Sequence, residues 1–314
     1  MATTSQRLKE RIAGVVVGLP TLFNPDFSIN HAGIRRHVDF LIESGVNVLM
    51  ISRGVSELPY LSSEEILAVT ATVARQAAGR VPVISSTFEW WTGQAAEFVA
   101  RMQDTGADGC LVVLPPYFIN YNPAWHDDAI CRHFEAIARA SSLPLLIHER
   151  SIMGHEGASG AWGVDLVDRL AALDQVVGMK LEGGDRFYAQ AVVRKTRDRL
   201  AIIGDWGPEA WLFSQAFGVN ANIGGMGPYA PRLEVQVWEH QRAGRLAEAR
   251  QLINEVMTPF WAVWNRKMDW VAAMKACMDC VGLAGGPMRP PAAQLTEEQR
   301  RQLKQGLIEL GIIQ

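Results

Sequence analysis

The chain has 314 residues, 48% of them hydrophobic, and a formal net charge of -3. A charge this close to neutral leaves no basic footprint for nucleic acid or for an anionic membrane, while the apolar content suffices for one large α/β domain or two ordinary ones. The first ten residues lack the apolar core of a signal peptide and no stretch approaches about 18 uncharged apolar residues, so a cytoplasmic protein with a small-molecule partner is expected.

From the amino end onward, short β-like runs alternate with amphipathic segments. Strands are expected over residues 14–23, 47–52, 81–87, 109–115, 144–149, 176–182, 200–205 and 219–225. Helices are expected between them over residues 34–44, 64–76, 95–105, 127–140, 164–172, 188–197 and 209–217. Eight alternating units in this length point to a closed (β/α)8 TIM barrel, whose strands are buried on both faces and so read as apolar runs. A doubly wound sheet is the rival, but the first strand-to-helix junction lacks the glycine-rich dinucleotide fingerprint.

Beyond residue 232 the pattern becomes helical only, over 233–242, 246–264 and 270–283. The break Gly285-Gly-Pro-Met-Arg-Pro-Pro291 follows, then a last helix with Thr296 as its cap and Glu297 and Glu298 in its first turn. Residues 1–232 are assigned to the barrel and 233–314 to a C-terminal helical appendix. No linker composition separates them, so they are expected to form one structural unit.

The chemistry of such barrels sits at the carboxyl ends of the strands. Those ends carry Ser52-Arg-Gly-Val-Ser-Glu57, Ser85-Ser-Thr87, Pro116-Tyr117, His148-Glu-Arg150, Lys180-Leu-Glu182 and Asp205-Trp206. Lys180 stands out as a lone cation near the end of an apolar run. Burial disfavours the ammonium form, and a neutral amine attacks carbonyls, so Schiff-base chemistry is the leading hypothesis. The competing readings are a lysine that snorkels from the strand end or one that is merely paired with Glu182. Lys9, Lys195, Lys267, Lys275 and Lys304 fall in terminal or helical segments.

Four segments together resemble the dihydrodipicolinate synthase/N-acetylneuraminate lyase family of class I, Schiff-base-forming barrel enzymes. They are Leu19-Pro-Thr21 in the first strand, Gly106-Ala-Asp-Gly109 leading to Leu114-Pro-Pro-Tyr117, Gly178-Met-Lys-Leu-Glu182, and Gly286-Pro-Met-Arg-Pro-Pro291. The resemblance places Lys180 at the Schiff-base position. It implies a lyase that needs no cofactor beyond the covalent lysine imine, acts on a small 2-keto acid, and forms a homodimer or homotetramer.

Several positions depart from that pattern. Gly54 and Val55 replace the threonine pair that holds the keto acid's carboxylate and passes protons, leaving backbone N–H groups and the Ser56 hydroxyl to bind a carboxylate. His148 stands where the family has its catalytic tyrosine, and Phe118 replaces the second tyrosine of a paired motif. The arginine of true dihydrodipicolinate synthases is missing, its place falling near Ile152 or Met153. A branch that dehydrates 2-keto-3-deoxy sugar acids is similar in Ser56-Glu57, Gly204-Asp-Trp206 and Asn265-Arg266. Dehydration of such an acid is therefore favoured over retro-aldol cleavage or condensation with pyruvate. A catalytically silent keto-acid-binding or regulatory protein is the third reading.

His148, with an ordinary pKa near 6.5, is the first choice for the general acid/base, against a purely pocket-shaping role. Glu182 shares the face of Lys180 and is assigned to tuning its charge or to substrate contact. Tyr117, Asp205 and Gly225 complete the expected substrate-binding set. Trp90-Trp91 and the cluster Trp261, Trp264 and Trp270 fit a packing layer or subunit interface, with a pocket wall for an apolar or aromatic fragment as the alternative. His126, His133 and His155 show no ligand spacing, which disfavours a metal-dependent aldolase. Cys277 and Cys280, like Cys110 and Cys131, read as free structural thiols.

Overall fold

Val15, Val16 and Val17 are completely buried, and the same holds for the centres of the other apolar runs, because each strand is covered inside and outside. The structure is a computed structural model that describes residues 3–115, 127–149, 162–182, 185–204, 207–264 and 268–314. Its strands are β1 (Gly14–Gly18), β2 (Val48–Met50), β3 (Val83–Ser86), β4 (Gly109–Val112), β5 (Leu145–Glu149), β6 (Val176–Leu181), β7 (Ala201–Gly204) and β8 (Ala221–Ile223). They pair in parallel and in sequence order, and β8 closes onto β1 through Gly14–Ala221 and Val16–Ile223. The expected TIM barrel is the observed one.

Several strands are shorter than the apolar runs that announced them. The first ends at Gly18 rather than at residue 23. Pro20 has no N–H to extend the ladder, and Phe23 instead makes an isolated antiparallel bridge to Ile29. The fourth ends before Pro115 for the same reason.

Around the barrel lie α2 (His31–Glu43), α3 (Ser63–Ala77), α4 (Thr92–Met102), α5 (Asp127–Ala140), α6 (Val164–Leu170), α7 (Arg186–Thr196) and α8 (Pro208–Phe217). An additional helix, α1 (Thr4–Arg11), precedes β1 and was not foreseen. Its Leu8, with Ile12, joins the interior cluster of Val16, Val48, Leu111 and Leu146 and plugs the amino end of the barrel. A Cβ at Gly109 would sit 2.6 Å from Leu8 Cδ2, so glycine leaves the room the plug needs.

The C-terminal helices are α9 (Pro231–Arg242), α10 (Leu246–Leu252), α11 (Thr258–Trp264), α12 (Trp270–Cys280) and α13 (Glu297–Glu309). The single helix expected over 246–264 is interrupted by a π-helical stretch at Ile253–Met257. Pro259, two residues beyond it, cannot donate to the α ladder, which favours the wider turn there. The last helix has the expected Thr296 cap, in a reciprocal capping box with Gln299.

Arg289 ties this region to the barrel, donating to both Glu65 carboxylate oxygens at 2.8 and 2.9 Å and to the Tyr60 carbonyl at 2.7 Å. Cys277 is buried and its thiol pKa is pushed up, as is that of buried Cys110, in keeping with packing roles. No helix among the described residues is long and apolar enough to cross a membrane.

Candidate active site

His148 and Lys180 are register partners on β5 and β6, so their side chains leave the adjacent strands at the same height on the inner face. Alternation along β6 turns Gly178, Lys180 and then Glu182 to that face. Lys180 Nζ donates to Glu182 Oε2 at 2.8 Å, and His148 Nε2 lies 2.8 Å from the same oxygen and 3.3 Å from Nζ. The three polar atoms form one proton-sharing cluster.

The cluster is largely removed from water, with side-chain exposures of 4% for His148, 7% for Lys180 and 30% for Glu182. Burial by itself raises the Glu182 pKa, but the Lys180 charge and the His148 hydrogen bond outweigh it and hold the carboxyl well below the usual range. Glu182 is therefore ionised throughout neutral pH. Its charge stabilises the ammonium form of Lys180, so attack on a carbonyl requires that a neighbour accept the proton, and His148 is within reach.

These groups line a cavity of about 440 Å³ at the carboxyl end of the barrel. Gly54 and Val55, after β2, and Gly225, after β8, border the same cavity, as does Arg53, whose guanidinium lies 5.4 Å from the Phe88 ring centroid. Ser56 does not. Its hydroxyl donates to the Leu19 carbonyl at 2.5 Å and accepts from the Ser52 N–H at 2.9 Å. A hydroxyl has one donor, and here it is spent inside the loop, so the expected carboxylate contact of Ser56 is corrected to a structural role.

Tyr117, Phe118, Asp205, Trp206, Asn265 and Arg266 lie outside the described residues, as do Ile152, Met153, His126 and His155.

Lys275, which by sequence is only one of the helical lysines, has a side chain just 2% exposed and forms an ion pair with Glu57, 1% exposed. Its Nζ also lies 4.7 Å from the centroid of the Phe23 ring. Burial pushes the Glu57 pKa up and the Lys275 pKa down, while each charge supports the other. Glu57 sits in the left-handed region at φ 56°, in the loop that carries Gly54 and Val55. The pair thus pins that loop from α12. A sequence signal existed in the apolar setting Ala272-Ala-Met-Lys-Ala-Cys-Met278.

Trp261 and Trp270 stand on the cavity wall, whereas Trp90 and Trp91 are exposed on the surface. His133 is buried against the Thr92 hydroxyl at 3.0 Å, and burial lowers its pKa to about 4. Among the described residues no group of three or more His, Cys, Asp or Glu side chains is placed to hold a metal.

Comparisons with known proteins agree with this architecture. The model of the Dihydrodipicolinate synthetase family matches residues 11–310. A protein named probable 5-dehydro-4-deoxyglucarate dehydratase from Rhizobium meliloti is 30% identical over 310 residues, covering 97% of this chain and 98% of that one. A 4-hydroxy-tetrahydrodipicolinate synthase from Methanopyrus kandleri is 29% identical, covering 96% and 98%. Among solved structures, YagE, a prophage protein from E. coli K12 crystallised with pyruvate, superimposes with a TM-score of 0.85 at 21% identity, covering 96% of this chain and 99% of that one. N-acetylneuraminate lyase from Fusobacterium nucleatum gives 0.84 at 18% identity, covering 95% and 99%.

Proposed function

The chain belongs to the Dihydrodipicolinate synthetase family, and from that premise we propose that it is a lyase that forms a Schiff base between Lys180 and a 4-hydroxy-2-keto acid and eliminates water. The observation that carries this reading is the contact of a buried lysine with both a histidine and an ionised carboxylate at the cavity floor. The relatives named 5-dehydro-4-deoxyglucarate dehydratase support elimination as the reaction and 2-keto-3-deoxy acids as the class.

In the proposed sequence a proton passes from Lys180 Nζ to His148 Nε2, and Glu182 stabilises the imidazolium. The free amine adds to the C2 carbonyl, and loss of water gives the iminium. That cation withdraws electrons from C3, whose proton is taken by a base of the cluster, and the C4 hydroxyl departs as water. Hydrolysis of the conjugated iminium releases the product and restores the amine. Gly54 and Val55 present their backbone N–H groups to the substrate carboxylate, a role open to residues that lack the hydroxyls of a threonine pair.

Cleavage of C3–C4 by the same iminium is the second reading, carried by similarity to a 4-hydroxy-tetrahydrodipicolinate synthase, an enzyme named for synthesis rather than dehydration.

Incubation with pyruvate or another 2-keto acid, borohydride reduction and peptide mass analysis test the proposal. The expected result is a single reduced adduct on the peptide bearing Lys180. No adduct across a broad panel of keto acids overturns it and leaves a binding protein. Chromatography of the products then separates water loss from release of pyruvate.

A further inference from the structure

The floor of the cavity is ionic, and the wall across the barrel mouth from it is aromatic. Gly54 and Gly225 follow β2 and β8, the two neighbours of β1, and β1 stands opposite β5 in the eight-strand ring. A Cβ on Gly225 would lie 1.8 Å from Trp261 Cζ3, and one on Gly54 would lie 3.1 Å from Trp270 Cζ2. The benzo rings of both tryptophans therefore rest on bare glycine backbone, and both side chains line the cavity that His148 and Lys180 also line. Trp270 is 39% exposed although the next residues on its helix are buried, and it borders the cavity.

Two of the carboxylates that line the cavity with these rings are already engaged. Asp269 caps α12 by accepting from the Val271 and Ala272 N–H groups at 3.0 and 2.9 Å, and Glu57 is paired with Lys275. Met274 and Met288 line the cavity with adaptable thioethers, and Ser52, Arg53 and Tyr60 border it as well. A polyhydroxylated tail needs a hydrogen-bond partner for each hydroxyl that it buries, whereas this wall offers flat apolar area.

We propose that the substrate carries an aromatic or similarly planar apolar group on C4, held against Trp261 and Trp270. The inference rests on the reading of Lys180 as the Schiff-base lysine and narrows its substrate. For 4-hydroxy-4-phenyl-2-oxobutanoate the reaction is loss of the C3 proton and the C4 hydroxyl as one water. It leaves a carbon–carbon double bond conjugated with both the ring and the ketone, and this product absorbs in the near ultraviolet.

The test compares that acid with a 2-keto-3-deoxyhexonate on the wild-type protein and on Trp270→Ala and Trp270→Phe. The expected kcat/KM is about tenfold or more in favour of the phenyl acid. Trp270→Ala is expected to raise KM about tenfold for the phenyl acid alone, and Trp270→Phe to restore most of the loss. A wild-type preference for the hexonate, or an equal effect of Trp270→Ala on both acids, overturns the proposal.

Binding to Lys180→Ala, followed by quenching of tryptophan fluorescence, isolates recognition from chemistry. Tighter binding of the phenyl acid there supports the aromatic wall, and equal or weaker binding refutes it. Failure of borohydride trapping in the wild-type protein counts against the Schiff base instead.

Discussion

His148 and Lys180 face each other across adjacent strands, and one oxygen of Glu182 lies 2.8 Å from the side-chain nitrogen of each. That shared oxygen makes Glu182 the group through which the charges of the other two are linked. Glu182→Gln keeps the shape and removes the charge. Turnover is expected to fall by about 10² to 10⁴, the range for loss of acid–base assistance, with borohydride trapping slowed but still on Lys180. Steady-state kinetics beside a trapping time course check this, and a His148→Phe protein with full turnover removes the histidine from the mechanism.

The lowered Glu182 pKa also predicts an acid limb in stability. A carboxyl held below its ordinary value of 4.5 contributes stability that is complete above that pH and is lost as the pH falls below it. Melting temperatures measured from pH 6 down to pH 3 are expected to drop less steeply in Glu182→Gln than in the wild type.

Two histidines add a second, higher window. His37 is buried, its Nε2–H donates to the Pro228 carbonyl at 2.8 Å, and burial lowers its pKa to about 4, as it does for His133. Both are neutral in the fold and take up protons more readily when unfolded. Their contribution is present above about pH 6.5 and is lost as the pH falls toward 4, by roughly 3 kcal/mol each at the acid end. Denaturant titrations at pH 7.5 and pH 5 are expected to show the loss, and His133→Gln to reduce it. A pH-independent midpoint over that interval contradicts the assignment.

The Glu57–Lys275 pair predicts a marked non-additivity. Lys275→Met strands a carboxyl in an apolar site, at an expected cost of about 3–5 kcal/mol. Adding Glu57→Gln removes the stranded charge and is expected to recover a large part of that loss, measured by urea unfolding. Two single losses that simply add in the double variant would show that the residues do not act as a pair.

Ser56→Ala separates a structural hydroxyl from a substrate contact. It leaves the Leu19 carbonyl and the Ser52 N–H without their partner and is expected to destabilise by about 1–3 kcal/mol. KM for a keto acid is expected to stay within about twofold, since less than about 0.4 kcal/mol of binding is at stake. A large KM increase without a change in stability would return Ser56 to the binding set.

Much of the barrel was legible because its strands are buried on both faces and its helices on one. Those two patterns, one continuous and one periodic, survive in the order of the residues. Strand ends were less legible, since Pro20 and Pro115 stop the ladder inside runs that remain apolar. The plug α1 escaped notice because only Leu8 of its eight residues is buried, and one buried residue makes no periodic signal.

For the site, the sequence determined which residue types stand at the carboxyl ends of the strands. Lys180, His148 and Glu182 could be named because strand alternation is local. Tertiary structure alone decided which of them touch, that the Ser56 hydroxyl is turned into its own loop, that Lys275 meets Glu57, and that two tryptophans from the C-terminal helices reach the mouth of the barrel. Apart from the Lys180–Glu182 and Ser52–Ser56 contacts, these join elements distant in the sequence. Such contacts follow from how the elements pack, not from the spacing of residues within any one of them.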